Sequence, residues 1–130
     1  AAVYDSSAPE GVRVSASRPA PAPGKGLVLV RVRCAGVNPV DAKLVVGDKL
    51  PPSLGFVARW VTGGRVPGFD LSGVVLAAPE GSGLVEGDAV FGSVPPFRGS
   101  FAEVVAAPLD QVCLKPTSLG WAEAASVVLP

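Results

Sequence analysis

Two carboxylates, Asp41 and Asp70, are the residues in this sequence that could work as a general acid and base, one giving a proton and the other taking it. Both stand beside turn-forming residues, Asn38-Pro39 and Pro67-Gly68, where an aspartate serves more often as a cap than as a catalyst. The sequence contains no histidine, which removes the usual proton shuttle, the Ser-His-Asp arrangement and most zinc and haem sites. Cys34 and Cys113 form no C-x-x-C pair and sit in apolar runs, so they read as core residues that could pair once or stay free. Gly24-Lys-Gly26 and Gly81-Ser-Gly83 do not extend into G-x-G-x-x-G or a P-loop, and carry no nucleotide fingerprint.

The elements that would position these groups are mostly short strands. Leu27 to Gly36 gives the best strand signal, with Val28, Val30, Val32 and Cys34 on one face and Arg31 and Arg33 on the other. Gly11 to Ser17 alternates as a half-buried edge strand does. Asn38 followed by Pro39 predicts a capped helix start, with a short helix over Val40 to Val46 stopped by Gly47. Residues 48–66 read as an excursion lying over the strands, anchored by Phe56 and Trp60. Further strands are expected over Phe69–Ala78, Ala89–Gly92, Ser100–Ala107 and Gln111–Leu114, with Phe101 filling the interior. Trp121 to Val128 has helical composition. Several strands at regular spacing imply a mainly β domain, a barrel or a sandwich.

Composition narrows the function classes. A chain of 130 residues suits one domain. Its 11 basic and 11 acidic residues cancel, leaving no field that would steer it to nucleic acid or to an anionic membrane. No apolar run approaches the ~20 residues of a membrane-spanning helix. The 16 Gly and 14 Pro punctuate the chain into short pieces, yet 48% of residues are apolar and clustered, which argues against disorder. The compartment is left open.

At Ala35-Gly-Val-Asn-Pro-Val-Asp-Ala-Lys43 the sequence resembles the N-terminal, GroES-like domain of quinone oxidoreductases in the medium-chain dehydrogenase/reductase superfamily. The resemblance continues in order through Val66–Val75, Val85–Gly92, Gly99–Glu103, Leu114–Thr117 and Trp121–Pro130. It implies a mainly β, GroES-like, partly open barrel with short helices. Residues 1–10 would be an N-terminal extension, 11–119 the barrel, and 120–130 the start of a connection to a nucleotide-binding domain of Rossmann type. In zinc-dependent relatives the first block carries a Cys and the second a His-Glu pair, which bind catalytic metal. Here those places hold Val37-Asn38 and Phe69-Asp70, so the resemblance is to the zinc-free branch and no metal is expected.

The resemblance also implies site residues. Asn38 matches an Asn near the nicotinamide and substrate, and is the candidate cofactor-binding and catalytic residue, with Asp41 beside it. Lys43 stands where relatives often carry Tyr, and joins them as a candidate. An Asn amide donates to a carbonyl or accepts from a ribose or amide group; a simpler role for Asn38 and Asp41 is to cap the short helix. The implied activity is NAD(P)H-dependent reduction of quinones or enones, zinc-independent. The cofactor, NADPH or NADH, would be held by the family's Rossmann domain, so this chain alone is expected to bind none tightly and to be inactive. The expected partner is that domain, or another subunit covering the cleft face. A non-catalytic structural subunit built on the same barrel is the alternative; a co-chaperonin role has only the fold analogy behind it.

Overall fold

A computed structural model describes residues 1–5, 11–46, 63–96 and 98–129. Gly47, expected to stop the short helix, and the anchors Phe56 and Trp60 lie outside the described residues. The elements in chain order are β1 (Ala2–Tyr4), β2 (Val12–Val14), β3 (Leu27–Ala35), α1 (Pro39–Val46), β4 (Asp70–Ala77), β5 (Ala89–Ser93), β6 (Val104–Pro108), a 3-10 turn (Leu109–Gln111), β7 (Val112–Leu114) and α2 (Trp121–Ser126).

Strands β3 to β7 form one antiparallel sheet in the order β6-β3-β4-β5-β7, curled into a partly open barrel. The alternation in β3 explains its central place. Val28 and Val30 are fully buried, while Arg31 and Arg33 of the opposite face reach solvent. In register, Val30 stands opposite Val75 of β4 and Val105 of β6, which brings three β-branched side chains together. Register shifts in the β3–β4 pairing between Leu29 and Val30 and between Val32 and Cys34 bend the sheet around these residues. The core is Val28, Val30, Leu71, Val75, Val90, Val94, Val105 and Ala107. Each fully buried Val or Leu contributes about 1.5–3 kcal/mol of transfer free energy, so this set is the main source of stability.

Phe101 is not in that core. Residues 100–103 bend instead of continuing the strand, because Ser100 and Phe101 donate their backbone N–H groups to Gly68 and Pro67 carbonyls. The half-buried Phe101 ring packs over Gly68, where a Cβ would come within 2.5 Å of it. Gly68 also has φ +94, so both its torsion and its neighbours require a residue without a side chain.

Two additions brace the sheet. The antiparallel pair of β1 and β2 docks by its first strand, with Ala2 donating to the Phe101 carbonyl at 2.8 Å and Tyr4 to the Arg65 carbonyl at 2.9 Å. Val3 and Tyr4 are buried as a result. Helix α2 packs on β3 and β4 through the buried Ala124 and Ala125, and the Ser72 hydroxyl of β4 donates to the Trp121 carbonyl at 2.6 Å.

Candidate functional site

The end of β3, the start of α1 and the start of β4 meet at Asn38. Gly36 follows β3 and donates its N–H to the Asp70 carbonyl at 3.1 Å. A Cβ at Gly36 would lie 2.6 Å from the Ala125 carbonyl oxygen, so the chain passes close to α2 here. Asn38 then sits at the head of α1, half-buried, between the exposed Val37 and Pro39.

The sequence predicts an Asn38 side-chain cap on α1. The structure assigns the capping to Asp41 instead. Its Oδ2 accepts the Asn38 backbone N–H at 2.8 Å, which is one half of a capping box. Its Oδ1 accepts the Gly68 N–H at 3.0 Å, tying α1 to the segment that leads into β4. With both oxygens engaged by backbone donors and only 3% of its surface exposed, Asp41 is placed to hold the backbone rather than to move protons.

The Asn38 side chain is free of the cap and points to β4. Its Nδ2 donates to Asp70 Oδ2 at 2.8 Å. Asp70 is 1% exposed and its Oδ1 has no hydrogen-bond partner among the described residues. Burial holds its carboxyl above the usual carboxylate range; the Asn38 hydrogen bond and the Leu129 backbone amide pull it back, and the Asp41 charge raises it again. Tyr4 shares this neighbourhood. Its buried hydroxyl has no partner among the described residues and is pushed up to about 12, first by burial and then by the Asp41 charge.

Asn38, Asp41 and Asp70 thus come together, with Asp70 bonded to Asn38. Neither carboxylate is accessible enough to act as an acid/base pair on a ligand. Lys43 lies on the exposed side of α1 and makes no ion pair with either of them among the described residues. Tyr4 escaped the sequence reading, since nothing local in Ala-Val-Tyr-Asp marks it as a neighbour of Asp41. Val37, beside Asn38 in the chain, is 78% exposed, and after α2 Val127 and Leu129, whose backbone amide reaches the Asp70 carboxyl, are 58% and 39% exposed.

Residues 24–117 match the model of the alcohol dehydrogenase GroES-like domain. The chain belongs to that family. Among its relatives, a trans-enoyl reductase of Petromyces alliaceus is 38% identical over 105 residues, covering 75% of this chain and 26% of the relative. The chain therefore spans about a quarter of that curated protein's length. The structure of the quinone oxidoreductase from Coxiella burnetii superposes with a TM-score of 0.78 at 28% identity, covering 93% of this chain and 38% of that one. A mycobacterial protein solved with NADPH superposes at 0.72 with 26% identity, covering 98% of this chain and 35% of that one.

Within this GroES-like domain, the places that bind metal in zinc-dependent members do not fit a zinc ion. Asn38 and Asp70 bond to each other there. Asp41 already accepts two backbone donors, and among the described residues no group of three His, Cys, Asp or Glu stands together. A direct hydrogen bond joins the β3–α1 corner to β4 where those members would use a metal. For a nicotinamide cofactor the fit is partial. Asn38 offers a half-exposed amide edge, but no glycine-rich strand-to-helix turn is present in the sequence to cradle a pyrophosphate.

Proposed function

We propose that this chain forms the barrel wall of the active-site cleft in an NAD(P)H-dependent, zinc-independent reductase of quinones, enones or related carbonyls. The observation that carries this reading is the Asn38 amide, fixed by Asp70 on a half-exposed corner, with the exposed Val37 next to it in the chain and Leu129 reaching the same Asp70 carboxyl with its backbone amide. A polar group held rigidly in an apolar rim is what orienting a flat cofactor and a small apolar carbonyl compound requires.

When bound, a reduced nicotinamide supplies the hydride. The residues of this chain do the positioning. Asn38 meets the cofactor. Asp41 keeps the β3–α1 corner in place by accepting the Asn38 and Gly68 N–H groups. Val37, Val127 and Leu129 keep water from the cleft and provide the surface against which a dinucleotide-binding domain closes. Lys43, on the exposed side of α1, is available at the rim. The relatives' reported names, an enoyl reductase and a quinone oxidoreductase, support the substrate class.

The test is a fusion of this chain to the dinucleotide-binding domain of a relative, assayed for NADPH oxidation with a panel of quinones and enones. Turnover by the fusion that drops at least tenfold in Asn38→Ala, with none from the 130-residue chain alone, is the expected result. A folded fusion inert across the panel sinks the reductase reading. It would favour the alternative that the same apolar rim suits, a non-catalytic subunit that binds its partner through this face.

A further inference from the structure

Resting on the reductase reading, we propose that Asp70 is a positioning residue for Asn38. It holds the amide by Nδ2, turns the carbonyl Oδ1 toward the cleft, and so makes Asn38 an acceptor for a hydrogen-bond donor. A nicotinamide carboxamide N–H or a ribose hydroxyl is a group of that class; a substrate carbonyl is not.

The geometry rests on one asymmetry. An ionised carboxylate has no proton to donate, so only the Nδ2 edge of the amide can face it. The 2.8 Å contact to Asp70 Oδ2 therefore fixes which way round the amide lies. Oδ1 is left on the opposite edge, with no partner among the described residues. Because Asp70 is 1% exposed, no ligand competes for its oxygens, and the constraint is internal to the fold. Asp70 itself is held on three sides. Its carbonyl accepts the Gly36 N–H, its place on β4 is set opposite Ser93, and Leu129 brings a backbone amide to its carboxyl. It makes no ion pair among the described residues, so no cation offers Oδ2 an alternative to Asn38.

The sequence makes the test unusually clean. Asn38 is its sole asparagine and Gln111 its sole glutamine, so the side-chain amide region of a nitrogen-15 spectrum holds two NH2 groups. Gln111 is exposed and serves as the free reference. In the wild-type chain at neutral pH, an Asn38 Nδ2 proton is expected to exchange about tenfold more slowly than those of Gln111, as a charge-assisted hydrogen bond requires. On acidification this protection disappears with a midpoint above that of an ordinary carboxylate. Asp70→Ala abolishes it at every pH. Should that variant fail to fold, the wild-type acid titration decides alone.

Asn38 exchanging as fast as Gln111 overturns the proposal, as does protection that survives Asp70→Ala or acidification. The readout needs no turnover. A fusion that reduces enones while Asn38 exchanges freely refutes the positioning role and keeps the reductase reading. A protected Asn38 in an inert fusion does the reverse.

Discussion

Replacing Asp41 with alanine measures how much the β3–α1 corner depends on a single carboxylate. Asp41→Ala orphans two backbone donors, the N–H groups of Asn38 and Gly68, which are held at 2.8 and 3.0 Å. An unsatisfied buried donor costs about 1–3 kcal/mol, and hydrogen bonds to a charged acceptor lie at the upper end. Part of that loss is offset, because the variant no longer buries a charge beside Tyr4 and Asp70. The net cost works out at roughly 2–4 kcal/mol, or a fall in Tm of about 10 °C for a domain of this size. Asp41→Asn keeps one acceptor oxygen and should lose roughly half as much. Thermal unfolding followed by circular dichroism at neutral pH reads all three proteins. If Asp41→Ala melts within a couple of degrees of the wild type, the two hydrogen bonds do not carry the corner and the reasoning fails.

Other expectations follow from the same neighbourhood. Tyr4 is the sole tyrosine, so an alkaline spectrophotometric titration should show ionisation at about 12; a midpoint near the free value while dichroism remains native would contradict its burial. Its raised value also means that its contribution to stability holds below the unfolded pKa and is lost as the pH rises through about 12. Asp70 is likewise raised, so its contribution is present at acid pH and declines as the pH climbs through its folded value. Asp70→Asn cannot ionise, and urea unfolding across a pH series should show the variant gaining on the wild type toward neutrality; parallel curves would count against the buried charge. Gly68→Ala imposes φ +94 on a side chain and drives a Cβ to 2.3 Å from Ser100 Oγ, for which a loss of roughly 2–4 kcal/mol in chemical denaturation is expected. A change below about 0.5 kcal/mol would show that the turn relaxes freely.

The parts of the fold legible in the sequence are those whose signal is local. β3 announces itself because Val28, Val30 and Val32 recur at every second position while Arg31 and Arg33 fall between and after the last of them, and Asn38-Pro39 marks the start of α1. What could not be read depends on distant partners. Asn38 does not cap α1 with its side chain, because Asp70, 32 residues away, takes that amide. Ser100 to Glu103 has the composition of a strand but bends, because Pro67 and Gly68 offer carbonyls that draw Ser100 and Phe101 out of line. β1 is three residues long, too short for its alternation to stand out, and its place is set by pairing with β2 and by carbonyls far along the chain. Residue type and family resemblance point to Asn38 and Asp41 as neighbours and leave Asp70 as a turn aspartate. The bonding among them, which decides that Asp41 holds backbone and Asp70 holds Asn38, is a matter of three-dimensional register.

The docking of β1 has a consequence for how the molecule comes to be. A ribosome delivers Ala2 to Tyr4 among the first residues of this stretch, yet the carbonyls they bind belong to Arg65 and Phe101. Until nearly all of this stretch has emerged, the apolar pair Val3 and Tyr4 has no surface to close upon. Such distant pairings are slow to form, since the loop entropy comes due before the contact exists. β1 can pair with β2 as soon as both are made, but its docking on the sheet is a late arrival, and during that interval the pair leaves Val3 and Tyr4 uncovered, apolar surface of the kind that chaperones shelter.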